Sequence, residues 1–189
     1  MEENKLYIKN MVCNRCIMVV RDQLGKMGIK PVSISLGEVV LNERLTDNKK
    51  KEVGEMLISF GFELIDDKRK QLIEKVKNTI IELVHQNNNS IRINLSDYIS
   101  DITHHDYSYI SNLFSEVENT TIEKYFIAQK IERVKELLVY DELSLSEIAD
   151  LLNYSSPAHL SAQFKKVTGL TPSYFKQIKE NKRKPLDKI

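Results

Sequence analysis

Cys13 and Cys16 are the only cysteines in the chain, with two residues between them. They stand in Met11-Val12-Cys13-Asn14-Arg15-Cys16, between the apolar run Leu6-Tyr7-Ile8 and a helical pattern that begins at Ile17. Two thiols at this spacing, on a loop that opens a helix, can close on one soft ion, and a two-sulfur set suits Cu(I). The helix N-terminus and Arg15 both favour thiolate. Met11 is expected to point into the core beneath the loop. A reversible dithiol, or thiols without a chemical role, are alternatives the residues leave open. Two ligands cannot build a closed zinc site of four, so zinc would need His104, His105 or a second chain. His104-His105 reads more simply as a turn, and His85 as the surface end of a helix.

A second group of residues carries recognition chemistry. Ser155 or Ser156 can cap a new helix, with Pro157 in its first turn. Leu160 and Phe164 bury one face of that helix. Pro157, Ala158, His159, Ser161, Ala162, Gln163, Lys165 and Lys166 are left to cover the others. Small side chains allow close approach to a DNA major groove; His, Gln and Ser can bond base edges, and Lys can bond phosphates. The same pattern occurs earlier. There Asp106 caps a helix whose buried residues are Ile110, Leu113 and Phe114. Tyr107, Ser108, Tyr109, Ser111, Asn112 and Ser115 are its candidates to face DNA.

The elements that position both groups follow from spacing. Residues 4–66 carry a β-α-β-β-α-β rhythm, the ferredoxin-like split arrangement, with another small α+β module of different strand order as the alternative. Leu6-Tyr7-Ile8 is the first strand; Ile17, Val20, Leu24 and Met27 mark the first helix, and Gly28 its end. Val32, Ile34 and Leu36 alternate as a strand, Gly37-Glu38 turns, and Val39-Val40-Leu41 returns. Thr46 or Asp47 caps a helix with Val53, Met56, Leu57 and Phe60, and Phe62, Leu64 and Ile65 form a last strand. The charged run Asp66 to Lys70 precedes a helix with Leu72, Ile73, Val76, Ile80, Leu83 and Val84. Gln86-Asn87-Asn88-Asn89-Ser90 is loop chemistry. The spacing thus predicts an α+β ferredoxin-like domain over 1–67, a connecting helix and loop over 68–90, and an all-α domain over 91–189. The connecting helix is expected to pack on the all-α part.

The all-α part repeats itself. Leu95-Ser96-Asp97, Ile110-Ser111, Phe114, Val117, Thr121 and Tyr125 recur fifty positions on as Leu145-Ser146-Glu147, Leu160-Ser161, Phe164, Val167, Thr171 and Phe175. In the second copy Ser144 and Glu147 have capping-box spacing, and Asn153 suits a left-handed turn. A long helix over Ile122 to Val139 joins the copies, with Ile127, Ile131, Val134 and Leu138 on its core side. Two helix-turn-helix units on one linker are the expected result.

With 189 residues there is room for two small domains, and a net charge of +1 selects no partner by itself. Its distribution is more informative. Lys165, Lys166, Lys176, Lys179, Lys182, Arg183, Lys184 and Lys188 face only Glu180 and Asp187, whereas the stretch from Asp97 to Glu123 is acidic. No apolar run approaches the roughly 20 residues of a membrane span, no signal pattern opens the chain, and one C-x-x-C suits a reducing compartment. The expectation is a cytoplasmic protein. There is no Gly-rich phosphate loop, no nucleophile elbow and no distinct carboxylate pair, so no enzyme is expected.

Residues from about 91 to 179 resemble the DNA-binding domain of the AraC/XylS family of transcription regulators. The likeness runs through Tyr109-Ile110-Ser111-Asn112-Leu113-Phe114, Tyr125, Lys130 to Leu138, Ser146-Glu147-Ile148-Ala149 and the block Phe164-Lys165-Lys166-Val167-Thr168-Gly169-Leu170-Thr171-Pro172. The resemblance implies recognition helices that enter successive major grooves on one face of double-stranded DNA. It departs at Asn153-Tyr154, where Gly-Phe is usual, at Asn119, where Gly is usual, and at Ser115-Glu116, where basic residues are usual. With Asp101, Asp106 and Glu116 in the first unit, the second is expected to supply most of the affinity, helped by the basic tail. Residues 4–66 more loosely resemble the heavy-metal-associated domain of copper chaperones and metal-pumping ATPases. The usual Gly is Asn10 and the usual Thr or Ser is Val12. Metal binding at Cys13 and Cys16 is implied by position.

These expectations combine into a DNA-binding transcription regulator whose response follows Cu(I) or another soft ion at Cys13 and Cys16, no cofactor being required for DNA binding itself. A Cu(I) carrier with a helical docking domain, or a thiol redox sensor, is the alternative. RNA polymerase and a second copy of the chain are the further partners to consider.

Overall fold

Leu6 and Ile8 are buried while Lys5, Tyr7 and Lys9 are partly exposed, the alternation that makes Lys5–Lys9 strand β1. The computed structural model describes residues 4–86 and 94–178. The chain divides into two compact units, residues 1–78 and 79–189.

In the first unit, β1 is followed by α1 (Asn14–Lys26), β2 (Pro31–Ser35), β3 (Glu38–Leu41), α2 (Asp47–Ser59) and β4 (Glu63–Leu64). The strands form one antiparallel sheet in the order β2-β3-β1-β4. Leu6, Ile8, Val39 and Leu41 of the sheet are buried with Val20 and Leu24 of α1 and Val53 and Leu57 of α2. Each such side chain contributes about 1.5–3 kcal/mol relative to exposure. Thr46 caps α2 by accepting from the Lys49 N–H at 3.3 Å. Gly37 turns β2 into β3 at φ +76°, a left-handed conformation that favours glycine, and a Cβ there would press on the side-chain amide of Asn78. One strand expectation is corrected. Val32 is 60% exposed rather than inward, because the pairing of β2 with β3 slips between Pro31 and Ser33 and turns Val32 outward.

Helix α3 (Lys68–Ile81) continues into a π-helical turn, Glu82–Gln86. Its earlier residues serve the first unit. The Gln71 side-chain amide donates to the Ile65 carbonyl at 2.7 Å, and Glu74 Oε1 accepts from the Asn10 N–H at 3.2 Å. This differs from the expectation that the helix packs on the all-α part, and the compact units meet within it, after Asn78.

The described part of the second unit is all helical: α4 (Leu95–Thr103), α5 (Tyr107–Glu118), α6 (Ile122–Tyr140), α7 (Leu145–Leu151), α8 (Pro157–Thr168) and α9 (Pro172–Ile178). α6 is the shared scaffold. Its Ile131, Val134 and Leu138 are buried with Ile148 and Leu152 around α7 and Leu160 and Phe164 of α8. His85 is not the surface residue its position suggested. Its side chain is 10% exposed, with Nε2 3.0 Å from Gln129 Oε1, because the π turn packs against α6. The expected loop at 87–90 and the basic residues from Lys179 onward lie outside the described residues. Among the described residues, no helix is long and apolar enough to cross a membrane.

Candidate nucleic-acid interface

The fifty-residue sequence repeat is carried by the local structure. Asp106 caps α5 by accepting from the Ser108 and Tyr109 N–H groups; Ser156 caps α8 by accepting from the His159 N–H. Both helices end in a left-handed residue, Asn119 at φ 53° and Gly169 at φ 78°. Thr121 and Thr171 then cap α6 and α9, accepting from the Lys124 and Tyr174 N–H groups at 3.2 and 3.3 Å. Behind each recognition helix lies one edge-to-face aromatic pair, Phe114–Tyr125 with centroids 5.7 Å apart and Phe164–Phe175 at 5.6 Å. α9 therefore repeats the first turns of α6. α6 closes the first helix-turn-helix repeat and supports the second. Lys176 of α9 pairs with Asp141 just past the end of α6.

In front, each recognition helix presents one stripe. On α8, Ala158, His159, Ala162, Lys165 and Lys166 are exposed, while Pro157, Ser161 and Gln163 are half-buried. On α5, Ser108, Tyr109, Asn112 and Glu116 are exposed, while Tyr107, Ser111 and Ser115 are half-buried. The stripes match at Pro157/Tyr107, Ala158/Ser108, His159/Tyr109, Ser161/Ser111, Ala162/Asn112 and Lys166/Glu116 in exposure, but the second carries Lys165 and Lys166 where the first helix-turn-helix repeat has Ser115 and Glu116, and Gln163 where it has the buried Leu113. A polyanion is drawn to the second stripe more than to the first.

Several candidates already have partners. The Tyr107 hydroxyl donates to Glu123 Oε1, tying the start of α5 to α6. Burial and then that carboxylate push its pKa well above the ordinary phenol value, and the same bond lowers Glu123. Gln163 Oε1 accepts from the Tyr154 hydroxyl at 2.7 Å, and His159 Nδ1 lies 3.0 Å from Ser155 Oγ. Ahead of α7, the Ser144 hydroxyl accepts from the Glu147 N–H while Glu147 Oε2 accepts from the Ser144 N–H, completing the expected capping box. Asn153 takes the left-handed turn at φ 52°.

Residues 99–178 match a family model described as a helix-turn-helix domain. The C-terminal unit carries a helix-turn-helix domain. It consists of two such units on one linker helix. An uncharacterized HTH-type transcriptional regulator, YtdP of Bacillus subtilis, is 24% identical over 108 residues, covering 57% of this chain and 14% of that protein. The Msm operon regulatory protein of Streptococcus mutans is 29% identical over 106 residues, covering 55% of this chain and 37% of that protein. The chain thus spans well under half the length of either relative. Among solved structures, the C-terminal domain of AraT, a response regulator from Geobacillus stearothermophilus, is similar in fold. Its TM-score is 0.50 at 18% identity, over 59% of this chain and 88% of that one.

Two further contacts within the helix-turn-helix domain are not among those anticipated from the sequence. Lys130 of α6 is buried, its Nζ 3.8 Å from the centroid of the Tyr154 ring. Tyr107 and Glu123 join across the turn from α5 to α6. The signal for the first was available, since Lys130 lies on the apolar face between Ile127 and Val134.

Outside that domain, Cys13 is the N-cap residue of α1, and its Sγ lies 3.6 Å from Cys16 Sγ. Both residues are half-buried and free, and Met11 is fully buried beneath them, as expected. Asn10 takes the left-handed conformation at φ 71°, held by its side-chain N–H donating to the Gly61 carbonyl at 3.0 Å. Burial raises the Cys16 thiol pKa, although backbone hydrogen bonds at Val12 and Cys13 act the other way. At Cys16 this direction runs against the expected preference for thiolate. Among the described residues, no cluster of three or more His, Cys, Asp or Glu could hold a metal.

Proposed function

We propose that the protein is a sequence-specific regulator of transcription that binds double-stranded DNA through α5 and α8. The observation that carries this is the structural repeat: two capped helices present matching stripes from one scaffold helix, and the second stripe ends in Lys165 and Lys166. In this reading Ser108, Ser111, Asn112 and Tyr107 of α5 lie along one groove. Pro157, Ala158, His159, Ser161 and Gln163 of α8 lie along the next, with the two lysines on phosphates. Both named relatives are described as regulators. Selection from a randomised duplex library tests the reading. Enrichment of a defined sequence is expected. Lys165→Ala/Lys166→Ala should weaken binding to all duplexes alike and flatten the salt dependence by about 1.8 in slope, roughly 0.9 per lost phosphate contact. No enriched sequence at moderate salt would refute the reading.

The N-terminal unit is, on this proposal, a ferredoxin-like sensory domain; its strand order and split β-α-β connections support that. Cys13 and Cys16 fit a soft two-sulfur ion, because both thiols lie on one loop and within reach of a common atom. Cys13 and Cys16, with their sulfurs 3.6 Å apart, are the residues that would hold it. When bound, Cu(I) would supply a thiolate-stabilised charge at the start of α1. Titration under reducing conditions should give one ion per chain in the wild type and none in Cys13→Ser/Cys16→Ser, with DNA binding retained by the apo protein. Equal uptake by both proteins would place the metal elsewhere.

A further inference from the structure

Lys130 lies on the linker helix α6 and is 7% exposed. Among the described residues no carboxylate pairs with it; its ammonium instead faces the rings of Tyr154 at 3.8 Å and Phe126 at 5.5 Å. Tyr154, in the turn between α7 and α8, is also 7% exposed. Its ring meets the His159 ring edge-on at 5.6 Å, and its hydroxyl donates to Gln163 Oε1 at 2.7 Å. A chain of contacts thus runs from the scaffold helix to two side chains of α8.

Neither polar group is needed to fill space. Methionine would fill the place of a buried lysine without its desolvation cost, and phenylalanine would fill that of the tyrosine. What the polar groups add is direction. A cation attracts a ring through its face, so the ammonium fixes the plane of Tyr154. The fixed plane aims the hydroxyl, and the hydroxyl sets the rotamer and amide orientation of Gln163. Burial lowers Lys130 to about 8, which leaves it a cation at neutral pH. A recognition side chain held in one orientation loses less freedom on docking than a free one.

We propose that Lys130 and Tyr154 are positioning residues for sequence readout by α8, the ammonium holding the ring and the ring holding His159 and Gln163. This rests on the DNA-binding reading above. With its carbonyl taken by Tyr154, Gln163 offers the groove its N–H donors. In the tautomer whose Nδ1 accepts from the Ser155 hydroxyl, His159 offers an Nε2–H donor. Two donors complement guanine, whose major-groove edge carries the N7 and O6 acceptors.

The test compares wild type with Tyr154→Phe and Lys130→Met. The measured quantities are the sequences each selects from a random duplex library, the ratio of affinities for the selected and a scrambled duplex, and the thermal midpoint. Wild type should select guanine in the half-site read by α8. Tyr154→Phe should keep its thermal midpoint within a few degrees and Lys130→Met should melt no lower than wild type; both should keep their affinity for scrambled duplex, while the ratio falls about tenfold and the guanine preference is lost. A role in packing alone would leave the ratio unchanged, or lower both affinities together, and either result overturns the proposal. If Tyr154→Phe fails to fold, Lys130→Met decides. A wild type that selects no sequence removes the DNA reading and the positioning role together. One that selects a guanine-containing site which both variants select equally well removes the positioning role alone.

Discussion

Phe164→Ala is expected to destabilise the helix-turn-helix domain by about 3–5 kcal/mol, the range for emptying a fully buried phenylalanine site. Phe164 is 0% exposed and meets Phe175 edge-to-face at 5.6 Å. Its surroundings are poorly able to collapse. α6 runs past the cluster as one continuous helix, and α8 is held at its start by Ser156 and at its end by the left-handed Gly169. A domain has only about 5–15 kcal/mol of stability, so such a loss leaves it close to unfolding. The Phe175 ring loses its partner as well, so α9, seven residues long, should detach first. Urea denaturation followed by far-ultraviolet circular dichroism measures the effect. A loss below about 1 kcal/mol would mean that the cluster repacks and that the duplicated aromatic pair is not what joins the helices. Phe114→Ala should behave alike, since Phe114 is also 0% exposed and pairs with Tyr125.

Lys130→Met should be more stable than wild type at pH 7, by about 1–3 kcal/mol, and the gap should close as pH rises. An unfolded lysine titrates near 10.4, whereas burial brings Lys130 down to about 8 in the folded protein. Between those values the unfolded chain holds a proton that the folded chain has released, so wild-type stability rises with pH there. The penalty is full below about pH 8 and is gone near 10.4. About 2.4 units at 1.36 kcal/mol each sets the upper limit near 3 kcal/mol, and the attraction of the ammonium for two ring faces offsets part of it. Tyr107 and Tyr154, whose folded pKa values are raised, act in the opposite sense above about pH 10, but both proteins contain them and the difference cancels. Urea midpoints of the two proteins from pH 7 to 10 measure the gap. A gap that is absent at pH 7, or constant with pH, would show that Lys130 is not held as a desolvated cation.

What could be read from sequence is what depends on near neighbours. Asp106, Ser156, Thr121 and the Ser144–Glu147 box are caps written within four residues of the groups they bond. Asn153 and Asn10 take left-handed backbone in tight turns, which asparagine tolerates because its side chain is short and polar. The exposed stripe of α8 follows from helical period alone, but the commitments of its polar residues do not. Gln163 is held by a tyrosine nine positions earlier, and that tyrosine by a lysine on another helix. His85 meets Gln129 across 44 positions, and the slip that exposes Val32 arises in pairing between strands. These are tertiary choices among several chemically acceptable partners, and period and composition do not rank them.

The two recognition helices share α6, whose 19 residues rise about 28 Å at 1.5 Å each. No slack segment lies between them, because α6 begins at the cap that ends the first unit and its far end leads within a few residues to α7. On the proposed DNA reading, the distance between the two contacted segments is therefore built into the protein and cannot be adjusted. One base pair inserted between them would turn the second segment by roughly 35° about the duplex axis, at 10–10.5 base pairs per turn, and carry it away from α8. An operator for this protein is thus defined by helical phase as well as by its letters, and a site with both half-sequences intact in the wrong phase should be ignored.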